Sequence, residues 1–280
     1  MKDANTKKII QYKCNQQDST YHVYWDGELG ATNQAYSPGN DAFIGGITVA
    51  SLYQTWYKTP VLTDEKGKTL NLEMYIHANM ENAYYDEENN QMVFGDGGDI
   101  FFPLTSIGIA AHEMSHGFTA KHSGLIYTNE SGGLNESFSD MAAEAADYFA
   151  TQKNNWQIGF EVMKGNNALR YLDDPTLDCM GLPKNTMCSI DNVKDYYPGL
   201  EVHYSSGIFN KVFYTLATSN GWNTKKAFDV MVQANRYYWT PSTTFIEAAC
   251  GVMDAAKELG DDTTAISRAM QTVGLNTKSC

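Results

Sequence analysis

Leu70, Leu72, Met74 and Ile76 alternate with Asn71, Glu73, Tyr75 and His77, the period of a strand with one face against a core. Gln91-Met92-Val93-Phe94 is a second short run, stopped by the turn Gly95-Asp96-Gly97-Gly98, so the first part of the chain is expected to build a sheet. One helix is predicted within it, where Asn40-Asp41 offers an N-cap to an apolar stretch carrying Phe43, Ile47, Leu52 and Trp56.

Beyond about residue 105 the apolar spacing becomes helical. Leu134, Phe138, Met141, Ala142, Ala145 and Phe149 form one stripe, and Ile208, Val212, Phe213 and Leu216 another. Further helices are expected around 225–236 and 243–258. No repeat, low-complexity segment or flexible linker divides the two regimes. The expected fold class is therefore α+β, with a sheet-rich N-terminal lobe over 1–105 and a mainly helical C-terminal lobe over 106–280. Clefts between such lobes are common substrate sites.

A chain of 280 residues with 42% hydrophobic content can bury a substantial core without help from metal or disulfides. Twenty basic against thirty-three acidic residues give a net charge of −13, which argues against nucleic acid or an anionic membrane as partner. No stretch of eighteen apolar residues occurs. The start, Met1-Lys2-Asp3-Ala4-Asn5, lacks the apolar middle of a signal peptide, so the expectation is a soluble chain from which any export signal has been removed. None of the five cysteines is in Cys-x-x-Cys spacing, which favours disulfides over a structural zinc ribbon. Cys179 and Cys188 bracket a short loop, and Cys250 with Cys280 would tie the last helical region to the C-terminus, leaving Cys14 odd.

The chemistry begins at His112-Glu113-Met114-Ser115-His116. On a helix over 106–121, four residues advance slightly more than one turn, so the two imidazoles face the same way and can hold one ion. Glu113, one residue round, can reach a water on it. Histidines at this spacing are sometimes merely structural, and a zinc catalyst needs a third protein ligand while keeping one position open. Glu136 in Gly132-Gly133-Leu134-Asn135-Glu136-Ser137-Phe138-Ser139-Asp140 is the candidate. Asp140, one turn on, can accept the remaining N–H of His112, and Asn135 joins it as expected support behind the ligands. The competing reading is two solvated carboxylates early in a helix.

With these residues in place the chain resembles the thermolysin family of metallopeptidases, and within it the vibriolysin and pseudolysin branch. Nineteen residues separate His116 from Glu136, as in that family, and the likeness continues through Gly124-Leu125-Ile126-Tyr127, Asp195-Tyr196-Tyr197 and Val202-His203-Tyr204-Ser205-Ser206-Gly207. The resemblance implies a zinc endopeptidase with its site in the cleft between the lobes. Glu113 is then the general base that takes a proton from water on the ion and later gives it to the leaving amine. His203 stabilises the oxyanion, Tyr127 is a second donor to it, and Glu201, where relatives usually carry Asp, orients His203. Asn82-Ala83 pairs with the substrate main chain as an added strand, and Arg170 bonds a substrate carbonyl just past the cut. Leu104, Ile109 and Leu169 line a pocket for a bulky hydrophobic residue after the cut.

The resemblance further implies secretion, a pro-segment in the precursor, protein and peptide substrates, and a monomer, with virulence as one setting for such an enzyme. Relatives bind calcium at the positions of Glu144, Asp147 and Asn155, but Gly108 stands where many carry Asp and Asn155 where the branch has another Asp. The ligand count neither completes nor excludes a calcium site. Relatives also carry strands ahead of the segment resembling Ile9–Cys14, including a cysteine that pairs with the counterpart of Cys14, so the first lobe is expected to lack its start. Two other function classes compete. A catalytically dead binding protein is opposed by the intact His112, Glu113, His116, Glu136 and His203. An aminopeptidase would need acidic residues holding a free amine, and no such motif is evident.

Overall fold

The computed structural model describes residues 2–7, 32–33, 37–64, 66–179 and 188–280. Cys14 and the segment resembling Ile9–Cys14 lie outside them. The chain is α+β, with its main sheet in the N-terminal part and helices through the C-terminal part. It divides into two compact units: Met1–Gly117 with Gly159–Asn167, and Phe118–Ile158 with Ala168–Cys280.

In the first unit β1 (Lys2–Asp3), β2 (Glu73–Ala78), β3 (Ala83–Asp86) and β4 (Gln91–Gly95) form a sheet in the order β1-β2-β4-β3. β3 is therefore the terminal strand of the described sheet. β1 and β2 and also β2 and β4 pair in parallel, while β3 and β4 are antiparallel. The alternation read from sequence buries Met74, Ile76 and Ala78, whereas Leu70 and Leu72 precede the strand.

α1 (Pro38–Tyr57) starts earlier than the Asn40-Asp41 cap expected from sequence. Proline suits a first turn, where its missing N–H has no helical acceptor, and the Asn40 side chain turns back to donate to Ser37 Oγ at 2.7 Å. The buried face is Ala42, Val49, Leu52 and Tyr53, with Ile47 49% exposed. The face is set by Gly45, where an added Cβ would stand 2.7 Å from Ala110 Cβ, so α1 approaches the next helix along small residues. That helix, α2 (Ile107–Lys121), begins where Ser106 Oγ accepts the Ile109 N–H at 3.2 Å. Its Ser115 hydroxyl bonds Tyr53 OH at 3.1 Å inside the core.

The second unit is built round α3 (Asn129–Thr151), buried almost all round from Ser131 to Ala146. About it lie α4 (Val202–Ser205), α5 (Gly207–Ala217), α6 (Thr224–Tyr237), α7 (Phe245–Leu259) and α8 (Thr263–Thr272), with a short antiparallel pair β5 (Gln157–Ile158) and β6 (Arg170–Tyr171). Phe138 stacks on Phe118 and Phe228 and meets Trp239 edge-on, joining α3 to α6 and the loop after it. Ile208, Val212, Phe213 and Leu216 are fully buried, as their spacing requires. Cys250 and Cys280 form a disulfide. Cys188 is also disulfide-bonded, and the side chain of Cys179 lies outside the described residues.

Candidate metal centre

α2 carries His112 and His116 one turn apart, and their Nε2 atoms stand 3.2 Å from each other. Ligand atoms of His112, His116 and Glu136 all lie within 4.8 Å of one another, the one such group of His, Cys, Asp or Glu among the described residues. Two ligands held at about 2.0–2.1 Å by a tetrahedral ion stand about 3.3 Å apart, so the two imidazoles already span one edge of a zinc tetrahedron. The donors, two imidazoles and a carboxylate, are those of a catalytic rather than a closed structural zinc site. Gly117, immediately after, has no room for a side chain: a Cβ there would fall 2.4 Å from Leu62 Cδ2.

Burial decides between the two readings of the acidic pair. Glu136 is 1% exposed and Asp140 0%, so neither is a solvated carboxylate at a helix start. A charge so placed must be paired, hydrogen-bonded or metal-bound. Asp140 takes a two-pronged bond from Arg170, Nε to Oδ2 and Nη2 to Oδ1 at 2.7 Å each, and a third from Asn210 Nδ2 at 2.8 Å. Burial opposes the charge on Arg170, but Asp140 alongside outweighs it and raises the guanidinium pKa. Ser137 in turn donates to Asn210 Oδ1 at 2.7 Å. Asn135 Nδ2 donates to Leu125 O at 3.1 Å, fixing the approach to α3.

Tyr127, in that approach, donates its hydroxyl to Glu136 Oε1, and its phenol pKa is raised by burial and then by the Glu136 charge. Its oxygen also lies 3.5 Å from His203 Nε2, which is 3.4 Å from Glu136 Oε2. Glu201 uses both carboxylate oxygens on α4: Oε2 accepts the His203 backbone N–H at 3.0 Å, capping the helix, and Oε1 pairs with His203 Nδ1 at 2.6 Å. The ring is thereby held with Nε2 toward Tyr127 and Glu136. Two glycines allow this. A Cβ on Gly132 would meet Val202 Cγ1 at 2.4 Å, and one on Gly133 would meet Ser205 Oγ at 2.4 Å, so α4 lies against the first turns of α3.

The remaining candidates are more scattered. Glu113 is half-buried on α2. Asn82 precedes β3 and accepts the Gly95 N–H at 2.9 Å, and Ala83 pairs with Phe94. Leu104 and Ile109 are buried in the first unit and Leu169 is half-buried in the second. At the calcium candidates, Glu144 Oε2 accepts from Asn154 Nδ2 at 2.6 Å and Asn155 Oδ1 from the Gln157 N–H at 2.9 Å, while the Asp147 carbonyl accepts from Thr151 Oγ1 at 2.8 Å. Asn210 was invisible to sequence reasoning. Its only signal is a polar residue inside the apolar run Ile208–Leu216.

Models of known families match nearly the whole chain. The thermolysin metallopeptidase catalytic domain matches residues 1–120 and the thermolysin metallopeptidase alpha-helical domain residues 123–275. A zinc metalloproteinase of Legionella pneumophila is 46% identical over 99% of this chain and 51% of its own length. A hemagglutinin/proteinase of Vibrio cholerae is 43% identical over 95% of this chain and 41% of its own. The chain thus spans about half the length of the curated relatives it matches. Among solved structures, the precursor of protealysin, a metalloproteinase from Serratia proteamaculans, superposes with a TM-score of 0.75 at 28% identity, covering 89% of this chain and 81% of that one.

Proposed function

The chain belongs to the thermolysin family of metallopeptidases, and from that premise we propose that it is an extracellular zinc endopeptidase, made as a precursor with a pro-segment, that cuts proteins before bulky hydrophobic residues. The observation that carries this is the convergence of His112, His116 and a buried Glu136, with two imidazole nitrogens at the 3.2 Å edge a tetrahedral ion requires. Zinc held there supplies Lewis acidity to a substrate carbonyl and makes water acidic near neutral pH. Glu113, on the same helix, accepts the proton released from the attacking water and returns it to the leaving amine. His203, held at Nδ1 by Glu201, directs Nε2 at the charge that develops on the carbonyl oxygen. Tyr127 adds a second donor once substrate draws its hydroxyl from Glu136.

The substrate main chain adds beside β3 at Asn82 and Ala83, a placement supported by the terminal position of that strand in the sheet order. Arg170, held by its bonds to Asp140, offers its remaining N–H groups to the carbonyl after the cut, and Leu104, Ile109 and Leu169 select the hydrophobic side chain there. The enzyme acts as a monomer on protein and peptide substrates. No helix among the described residues is long and apolar enough to cross a membrane. Digestion of a casein-like protein by the zinc-loaded chain tests the reading, with a chelator and Glu113→Ala as controls. Cleavage is expected to vanish in both controls, and a stoichiometrically zinc-loaded wild type that cuts nothing would sink the proposal.

A further inference from the structure

α4 is a single turn, so its C-terminal carbonyls lack helical partners of their own. Ser206 Oγ answers the His203 carbonyl at 2.7 Å. The Tyr204 carbonyl is answered from outside the helix, by the Ile190 N–H at 2.9 Å. Ile190 is not placed by any regular element. It follows Ser189, which is 3% exposed and tied to one carboxylate: the Ser189 N–H lies 3.1 Å from both oxygens of Asp178, and its hydroxyl donates to Oδ2 at 2.5 Å. The same hydroxyl oxygen lies 3.4 Å from the His203 carbonyl.

Asp178 itself is fixed by the short 3-10 turn Pro175–Cys179, which Asp174 caps by accepting from the Thr176 N–H at 3.2 Å and hydroxyl at 2.7 Å. The contact with the following helix is equally tight. A Cβ on Gly207 would stand 2.5 Å from Ile190 O and 2.7 Å from Pro175 Cβ. The disulfide at Cys188 sits one residue before Ser189, so the segment that holds α4 is covalently anchored on that side.

We infer that Asp178 is a positioning residue for His203, acting through Ser189 and Ile190 to hold the one-turn helix that carries the imidazole. The carboxylate orders Ser189, Ser189 sets the Ile190 N–H against Tyr204 O, and that bond keeps α4 from rotating away from α3. His203 Nε2 then stays within reach of the point where charge develops, and displacements of about 1 Å there are costly to turnover. The inference rests on the proposed oxyanion role of His203.

The test is a double-mutant cycle of Asp178→Asn with His203→Ala on a fluorogenic peptide with leucine after the cut, read as kcat and KM separately, with zinc stoichiometry measured on each variant. Asp178→Asn alone is expected to lower kcat roughly tenfold, short of the loss from removing the donor itself, at about 10²–10³. KM and zinc content should not change, and Asp178→Glu should recover part of the loss. In the His203→Ala background the Asp178 change should have almost no further effect. An equal fold-loss in both backgrounds would make Asp178 a general stabiliser and overturn the inference, as would wild-type kcat in the single variant. If His203→Ala leaves kcat intact, the oxyanion reading fails first and the inference with it. Should Asp178→Asn misfold or lose zinc, Ser189→Ala, which keeps the N–H link and removes the hydroxyl, is carried through the same cycle under the same criteria.

Discussion

At the scale of single residues, His203 illustrates how little of a side chain's role is local. Nothing beside it in sequence marks it, yet both of its ring nitrogens are engaged, Nδ1 with Glu201 and Nε2 within 3.5 Å of Tyr127 and Glu136. His203→Ala is therefore expected to keep full zinc while turnover falls by about 10²–10³. Zinc loss measured on the purified variant would instead assign it a structural part in the metal site. A different histidine bears on acid tolerance. His122 stacks on Phe118 with 4.0 Å between ring centres and bonds the Phe118 carbonyl at 2.8 Å. Burial, aided by the Arg236 charge and resisted by that bond, holds its pKa below the ordinary value. A folded pKa below the unfolded one, near 6.5, means the neutral ring's contribution is present above that pH and lost as pH falls through the folded value. Thermal melts from pH 7 to 5 should show an acid loss that is smaller in His122→Gln, and identical slopes would reject the assignment.

At the scale of elements, period and placement separate cleanly. The 3.6-residue stripes marked α3, α5, α6 and α7, because any helix with one apolar face must repeat that way. α4 and α8 were not foreseen, since one is a single turn and the other short. Nor did periodicity reveal why α4 lies where it does. Gly132 and Gly133 have no period, but they remove the side chains that would keep α4 off α3. Gly133→Ala would bring a Cβ to 2.4 Å from Ser205 Oγ and 3.2 Å from its backbone carbon. The expected cost is about 1–3 kcal/mol of stability from overpacking, with a fall in kcat as His203 moves and zinc retained. Equal melting temperature and kcat would mean the contact relaxes freely. α1 makes the complementary point: its helix was legible, but its buried face turned toward Gly45 and left Ile47 outside.

At the scale of the whole molecule, the acidic balance of −13 bears on solubility rather than fold, whereas the Cys250–Cys280 disulfide bears on stability. Cys250 on α7 and Cys280 are 30 residues apart, and cross-linking a loop of that length removes unfolded-state freedom worth roughly 3–4 kcal/mol. Urea unfolding of a Cys250→Ser, Cys280→Ser double variant should show a loss of that order. A loss under about 1 kcal/mol would mean that burial of Val273 and Leu275 already holds the tail.

By itself the sequence determined the α+β class and the helix bearing His112 and His116, because a 3.6-residue period and an i, i+4 pair are properties of the chain alone, and it offered Glu136 only as a candidate third ligand. Whether Glu136 and Asp140 were solvated or buried, that Arg170 and Asn210 converge on Asp140, and that Tyr127 and His203 meet at Glu136 were decided only by tertiary structure. Burial and convergence depend on which residues far apart in the chain pack together, here on glycines that admit a neighbouring helix and on polar partners up to 76 positions away. No local pattern encodes that distance.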